Sequence, residues 1–302
     1  MFKKLGLVFA ALAIVFFSIL VIPGQANAAV TYRYAGGNQV LTGTDFAPGF
    51  QANLLVGAPY VDSANGDHSL TEIAISRNNT HGRDVAEFGW AAEPNAFGDT
   101  KPRLFASYWK DGTWGGTYYG GSLWVDKTPT IHTDDLGADL SSVASATFPN
   151  NVKQFKVVFE SPTTCGANVN SGNFDFYYAG TLIGCMPPAQ WGNGYGSGST
   201  IFQVFGEVAT QRASGLSCSD MGNGKQGNSA VLPLDASDPA YVGSASLIGP
   251  SPATLTTNLT LFNTDANAYS AFSLGSTGNR TFTYGGPGYS STGTTPGTTG
   301  GC

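Results

Sequence analysis

Two glutamates lie in apolar, aromatic stretches of a chain in which only 11% of residues are charged. Glu87 stands in Val85-Ala86-Glu87-Phe88-Gly89-Trp90, and Glu207 stands in the run Ile-Phe-Gln-Val-Phe-Gly-Glu-Val at 201–208. A carboxylate buried in a strand of this kind costs free energy unless it is paired or neutralised. Two carboxyl groups that face each other can perform acid–base chemistry on a shared water molecule.

The alternation of side chains along a strand indicates what each glutamate faces. In an extended strand, Glu207 projects with Gln203 and Phe205, because successive residues point to opposite faces. Gly89 and Gly206 lie near the two glutamates, and the missing side chains favour close approach of a substrate backbone. The structural alternative is an ion pair of each glutamate with an arginine, such as Arg83 or Arg212. Spacing alone leaves both interpretations open.

Other catalytic chemistries have weaker support. The sequence contains no G-x-S-x-G motif and no C-x-x-C motif, and its three histidines, at 68, 81 and 132, are scattered. A Ser/His/Asp triad needs no sequence pattern and stays an alternative. The glycine-rich stretch at 192–198 matches no phosphate-binding fingerprint. We therefore expect no metal and no cofactor.

The first 28 residues have the features of a secretory signal peptide. Lys3 and Lys4 precede an apolar run at 5–22, and Ala26-Asn27-Ala28 provides small residues at the cleavage site. The alternative is an uncleaved membrane anchor, because the apolar run is nearly long enough to span a bilayer. We expect cleavage, secretion and no later contact with a membrane.

Four cysteines follow the signal, which suits disulfide formation in an exported protein. Of the three possible pairings, spacing favours Cys165–Cys185 and Cys218–Cys302. Removal of Lys3 and Lys4 takes the formal net charge from −6 to −8. An acidic surface argues against nucleic acid as a partner.

The pattern of apolar residues predicts an all-β fold. Short alternating segments are separated by Gly and Asn, and no segment after the signal has a sustained helical period. We expect an antiparallel, jelly-roll-like β-sandwich of two packed sheets, with an open barrel as the alternative. The predicted organisation is a signal peptide at 1–28, a loop-rich segment at 29–67 and one β domain at 68–302. Strands are predicted at 69–76, 104–109, 117–125, 155–160, 174–178, 181–183, 201–210, 254–262 and 280–284.

Several motifs from residue 68 onward resemble, in their order and spacing, the neprosin family. The motifs that carry this resemblance are His68-Ser69-Leu70-Thr71-Glu72-Ile73, Glu87-Phe88-Gly89-Trp90, Phe97-Gly98-Asp99, Arg103-Leu104-Phe105, Tyr108-Trp109, Gly180-Thr181-Leu182-Ile183-Gly184, Trp191, Gln203-Val204-Phe205-Gly206-Glu207-Val208, Asp220-Met221-Gly222-Asn223-Gly224 and Tyr284-Gly285-Gly286-Pro287-Gly288 with Cys302. The resemblance covers roughly residues 68–302.

The resemblance implies a secreted glutamic peptidase that acts at acidic pH and cleaves after proline. The two catalytic glutamates of the family fall on Glu87, in E-x-G-W, and on Glu207, in G-E-V. The chain departs from the plant pattern in two ways. Only about 40 residues separate the signal from the first motif, and Thr117-Tyr118-Tyr119 lacks the cysteine often found near that tyrosine. These departures bear on activation and on subsite shape.

On this basis we expect Glu87 and Glu207 to hold one water molecule between them, with Glu207 as the base and Gln203 as a donor to the oxyanion. The aromatic residues Trp90, Trp109, Tyr118 and Trp191 are candidates for a pocket that accepts proline, with core packing as the alternative for each. The expected partner is a peptide or protein that contains proline, and we expect the protein to be a monomer. The rival functions are a carbohydrate-active or carbohydrate-binding sandwich and a binding protein without catalytic activity.

Overall fold

The computed structural model describes residues 30–41, 49–78, 83–110, 113–114, 125–126, 137–160, 173–186, 200–230, 232, 234, 238–248 and 256–289. Strands dominate this part of the chain, and its only α-helices are two single turns, α1 (Pro94–Phe97) and α2 (Ser141–Ala144). Neither of these described helices has the length or apolar character needed to cross a membrane.

Fifteen strands are described, and they form two antiparallel sheets. The strands are β1 Thr31–Leu41, β2 Gly49–Leu55, β3 His68–Asn78, β4 Arg83–Ala92, β5 Arg103–Lys110, β6 Thr113–Trp114, β7 Val125–Asp126, β8 Val152–Glu160, β9 Asn173–Tyr178, β10 Thr181–Met186, β11 Thr200–Thr210, β12 Ala240–Ile248, β13 Thr260–Asn263, β14 Ser270–Ser273 and β15 Phe282–Gly285. The seven-stranded sheet has the order β13-β1-β11-β3-β4-β5-β6. The eight-stranded sheet has the order β14-β15-β12-β2-β8-β9-β10-β7.

The core lies between the two sheets and is rich in aromatic residues. Phe88 packs edge-on against Phe155 and Phe176 of the opposite sheet, with ring centroids 5.2 and 5.4 Å apart. Phe50 and Phe202 make a similar contact at 5.8 Å. Each inward position alternates with an outward one, so the inner faces form the core and the outer faces are free to carry polar residues.

The predicted β-sandwich is confirmed. The strands predicted at 174–178 and 181–183 are present as β9 and β10, and the hairpin turn between them is Ala179-Gly180, with positive φ angles of 49° and 86°. These angles suit the two-residue turns that match strand twist. The predicted strand at 117–125 lies outside the described residues, except for Val125.

The prediction of a loop-rich segment before residue 68 was wrong for two stretches. β1 pairs with β11 over eleven residue pairs, from Thr31–Thr210 to Leu41–Thr200, and β2 lies between β12 and β8. Glycine, asparagine and glutamine in these stretches, as in Gly36-Gly37-Asn38-Gln39, weakened the strand signal. Partner strands supply the pairing that local composition does not indicate. Strands β12 and β14 were also missed.

Candidate active site

Glu87 and Glu207 lie on the same outer face of the seven-stranded sheet, on the two strands that flank β3. Glu87 of β4 is opposite Ala74 of β3, and Glu207 of β11 is opposite Leu70 of β3. Both partners have the same parity along β3, so both glutamates project from one face. The opposite face, which carries Ile73 among others, belongs to the core.

A third glutamate, Glu72, occupies the position between the predicted pair. It lies on β3 opposite Phe205 and Gly89, two residues from Leu70 and two from Ala74. Glu207, Glu72 and Glu87 therefore follow one diagonal of the sheet. Diagonal neighbours on adjacent antiparallel strands are about 7–8 Å apart. The register thus separates the two predicted catalytic residues by one strand, with a carboxyl group between them.

Glu207 is held by a histidine at one end of this diagonal. The Nε2 atom of His68 lies 2.7 Å from Oε1 of Glu207, and its Nδ1 atom lies 2.6 Å from Oε2 of Glu93. Both ring nitrogens donate to carboxylates only when the imidazole is charged. Burial opposes that charge, but the hydrogen bonds with Glu207 and Glu93 outweigh it and raise the pKa of His68 to about 10. An imidazolium therefore lies between two carboxylates.

Glu87 is held by a serine at the other end of the diagonal. Ser107 of β5 is directly opposite Glu87 in the register, and its Oγ donates a hydrogen bond to Oε2 of Glu87. Ser107 is buried, whereas Glu87 is half-buried. The donor orients the carboxyl group without adding a charge. The two ends of the diagonal are thus supported differently, one by a cation and the other by a neutral hydroxyl.

Glu72, in the middle, is nearly inaccessible, with only 2% of the residue exposed. Burial, followed by the negative charges of Glu87 and Glu207, raises the pKa of Glu72 well above its ordinary value. A carboxylate at this point would lie close to two like charges. Glu72 is therefore a neutral carboxylic acid under mildly acidic conditions.

Two tyrosines of β1 border the site next to β11. Tyr34 is opposite Glu207 in the register, and Tyr32 lies near His68, with ring centroids 6.1 Å apart. Burial and the charge of Glu207 raise the pKa values of both hydroxyls well above the ordinary value. Both hydroxyls therefore stay protonated and remain possible donors of hydrogen bonds. Strand β1, which the sequence did not predict, thus forms one wall of the site.

Apolar residues flank the diagonal on both sides. On one side Leu70, Ala91 and Phe105 pack together, and Phe97 of α1 packs against them. On the other side the buried residues Ala74, Val85 and Phe205 pack with Tyr34 and Phe262. The carboxyl groups therefore lie in a strip between two apolar patches, a setting that strengthens electrostatic interactions.

Gln203 and Trp90, two other residues predicted for the site, lie on opposite faces of the sheet. Gln203 is opposite Ala74, in the same row as Glu87, and is half-exposed on the face that carries the glutamates. Trp90 is fully buried on the opposite face, where its Nε1 donates to the carbonyl oxygen of Leu55 at 3.0 Å. Trp90 therefore belongs to the core and not to the candidate site, because its parity differs from that of Glu87.

The other aromatic candidates are not placed by the structure. The backbone of Trp109 lies in β5, opposite Val85, but its side chain lies outside the described part of the chain. Tyr118 and Trp191 lie outside the described residues. The predicted pocket for proline stays a prediction.

Two structural details correct the sequence interpretation. Arg212 forms an ion pair with Asp62 at 2.6 Å, so the arginine alternative for Glu207 is wrong, and His68 is the partner of Glu207 instead.

The predicted role of the two glycines is also corrected. Gly206 does not leave room for a substrate, because a Cβ there would lie 2.5 Å from the ring of Tyr284 in the core. A Cβ on Gly89 would lie 2.0 Å from the carbonyl oxygen of Thr71. Both glycines thus permit close packing within the protein.

Cys185 and Cys218 are both fully buried, and neither is a free thiol. Cys165 and Cys302 lie outside the described residues, so the predicted pairing stays a prediction. Among the described residues, no cluster of three or more His, Cys, Asp or Glu side chains is arranged to hold a metal ion.

Sequence reasoning missed His68, Glu93 and Glu72 as members of this cluster. The alternation in His68-Ser69-Leu70-Thr71-Glu72 places His68 and Glu72 on one face, so a signal was present. Glu93, next to Pro94, is buried beside His68. No local pattern indicates that β3 lies between β4 and β11.

The described architecture defines an antiparallel β-sandwich with a row of carboxyl groups on one outer face. A family model, Neprosin, matches residues 65–287. The chain therefore belongs to the Neprosin family, which is associated with peptidase activity. A solved structure titled "The crystal structure of native glycosidic hydrolase" is 10% identical, with a TM-score of 0.24, over 62% of this chain and 82% of that chain. A similarity this low carries no argument about function.

Proposed function

We propose that this protein is a secreted glutamic endopeptidase that hydrolyses peptide bonds after proline at acidic pH. The observation that carries the proposal is the placement of Glu87 and Glu207 on one outer face of the sheet, each held by its own partner, in a domain of the Neprosin family. The proline preference and the acidic optimum are what the family resemblance implies.

In the proposed reaction, Glu207 is the base. Its ionised carboxylate takes a proton from water as the water oxygen attacks the scissile carbonyl carbon. Glu87 holds a proton, polarises that carbonyl and then protonates the leaving nitrogen as the C–N bond breaks. The imidazolium of His68 balances part of the negative charge around Glu207. The cycle ends when the proton on Glu207 is returned to Glu87 through solvent.

The test is an assay of purified protein on a proline-containing peptide from about pH 3 to pH 8, with products identified by mass spectrometry. Glu87→Gln and Glu207→Gln should each lower turnover by about a hundredfold or more, because each removes one acid–base function. Glu160→Gln is the matched control, because Glu160 ends β8 in the other sheet. It should retain wild-type activity.

Full activity in Glu87→Gln or Glu207→Gln at acidic pH would contradict the proposal. Cleavage at sites other than the bond after proline would contradict the specificity and leave the peptidase proposal standing. A parallel assay on a panel of polysaccharides tests the carbohydrate alternative. Polysaccharide hydrolysis that is lost in both variants would replace the peptidase proposal.

A further inference from the structure

The strongest observation outside the predicted pair is the state of Glu72. Its carboxyl group makes no hydrogen bond to any other side chain within the described part of the chain, although the residue is almost completely buried. The strand direction aims it at the face that carries Glu87 and Glu207. A buried carboxyl group beside two like charges costs free energy, so a functional reason for retaining it is expected.

The surroundings of Glu72 keep a proton on it. Glu207 faces it from β11, Glu87 faces it from β4, and Tyr34 of β1 also lies within electrostatic range. His68, four residues earlier on β3, is a cation on the same strand, and its two ring nitrogens are engaged with Glu93 and Glu207. No cation is therefore available to Glu72 from these described neighbours. Gly89, directly opposite, leaves the space that Glu72 occupies, because a Cβ there would lie 2.9 Å from Glu72 Cβ.

The register also places Glu72 between Glu87 and Glu207. Glu87 and Glu207 are two strands apart and offset by four residues along β3. In an untwisted sheet this separates their Cα atoms by about 17 Å. For both carboxyl groups to reach one peptide bond, the side chains of Glu87 and Glu207 have to lean toward each other, and the bond then lies over Glu72.

We propose that Glu72 donates the hydrogen bond that stabilises the oxyanion of the tetrahedral intermediate. This inference rests on the proposed peptidase function. When water attacks, the electron pair of the carbonyl double bond moves to oxygen, and the O–H of Glu72 points at that developing charge. The proton of Glu72 stays on Glu72, and the transferred protons belong to Glu207 and Glu87. A carboxylic acid kept neutral by its surroundings can perform this role, because only the protonated form donates. This assigns to Glu72 the function first expected of Gln203.

The test compares two substitutions of similar shape, Glu72→Met and Glu72→Gln. Methionine removes the donor, so kcat on the proline-containing peptide should fall about a hundredfold while KM changes little. Glutamine supplies an amide N–H donor, so its kcat should stay within about fivefold of wild type. Glu160→Met in the eight-stranded sheet is the matched control and should retain wild-type kcat.

Urea unfolding checks that each variant is folded, and Glu72→Met is expected to be at least as stable as wild type because it removes a buried ionisable group that lies beside two like charges. Glu72→Leu serves as a second apolar variant if the methionine form does not fold. Wild-type kcat in a folded apolar variant would overturn the inference. A glutamine variant as slow as the methionine variant would also overturn it, because a hydrogen-bond donor at this position would then not be enough for activity.

The outcomes separate this inference from the proposed function. If Glu87→Gln and Glu207→Gln are inactive while Glu72→Met has wild-type kcat, only the role of Glu72 fails. If Glu87→Gln or Glu207→Gln retains full activity, the proposed function fails, and the role of Glu72 fails with it.

Discussion

At the scale of residues, the site is a row of three glutamates with different supports. His68 holds Glu207, Ser107 holds Glu87, and Glu72 has no side-chain partner among the described residues. These differences give the three carboxyl groups different surroundings on a single sheet face. Division of this kind allows one group to act as a base while another donates a hydrogen bond.

We predict that His68→Gln lowers kcat about tenfold, because an amide replaces the imidazolium beside Glu207. The profile of kcat against pH should change, because His68 is charged across this pH range in wild type and the glutamine that replaces it is neutral. The groups that face His68 are Glu207, Glu93 and Tyr32. Steady-state kinetics from pH 3 to pH 8 measures both effects.

Lys101→Gln is the control for the His68 substitution, because it also removes a positive charge but at an exposed surface pair with Asp139. It should leave the profile unchanged. If His68→Gln lowers only the melting temperature and keeps the wild-type profile, His68 has a structural role alone.

At the scale of elements, β1 belongs to the sheet that carries the three glutamates, although it precedes the family match. It pairs with β11 along the whole strand that carries Glu207, and it contributes Tyr32 and Tyr34 to the border of the site. Removal of β1 would expose the edge of β11 and the side of the site that Tyr32 and Tyr34 border. This arrangement argues against activation by cleavage after β1.

We predict that the active form of the protein begins before Thr31. Mass spectrometry of the active form should find its N-terminus between the predicted signal cleavage site and β1. A chain that begins at residue 42 should yield no soluble activity, because it lacks eleven residue pairs with β11. A chain that begins at Val30 is the control and should have wild-type activity. An active form that begins after Leu41 would show that β1 is dispensable.

At the scale of the whole molecule, buried ionisable groups favour an acidic environment. Burial raises the pKa of Glu72, of Asp67 and, to about 6, of Asp220, and the hydrogen bonds of His68 raise its pKa to about 10 against the effect of burial. The folded state binds more protons than the unfolded state at each of these groups. Their contribution to stability is present at low pH and is lost as pH rises through the folded pKa values.

We therefore predict that the free energy of unfolding falls by about 2–4 kcal/mol between pH 5 and pH 9. Asp99 and Asp139 have the opposite effect, because ion pairs with Arg103 and Lys101 lower their pKa values. These two pairs are more exposed, so their contribution is small and is lost only below about pH 4. Urea unfolding at several pH values measures the trend.

Glu72→Gln provides the control for this stability prediction, because it cannot ionise. Its unfolding free energy should decline less steeply above pH 5 than that of wild type. A wild-type stability that rises from pH 5 to pH 9 would contradict the prediction.

The sequence by itself determined the all-β class, the hairpin at Ala179-Gly180 and the candidate glutamates, because alternation, turn residues and short motifs are local signals. Only the tertiary structure decided that β1 borders the site, that Trp90 belongs to the core and that His68 and Glu72 accompany Glu207 and Glu87. The order of strands in a sheet depends on pairing between distant segments, and no local pattern specifies which strand lies between two others. The position of Glu72, a neutral acid between Glu87 and Glu207, follows from that order of strands.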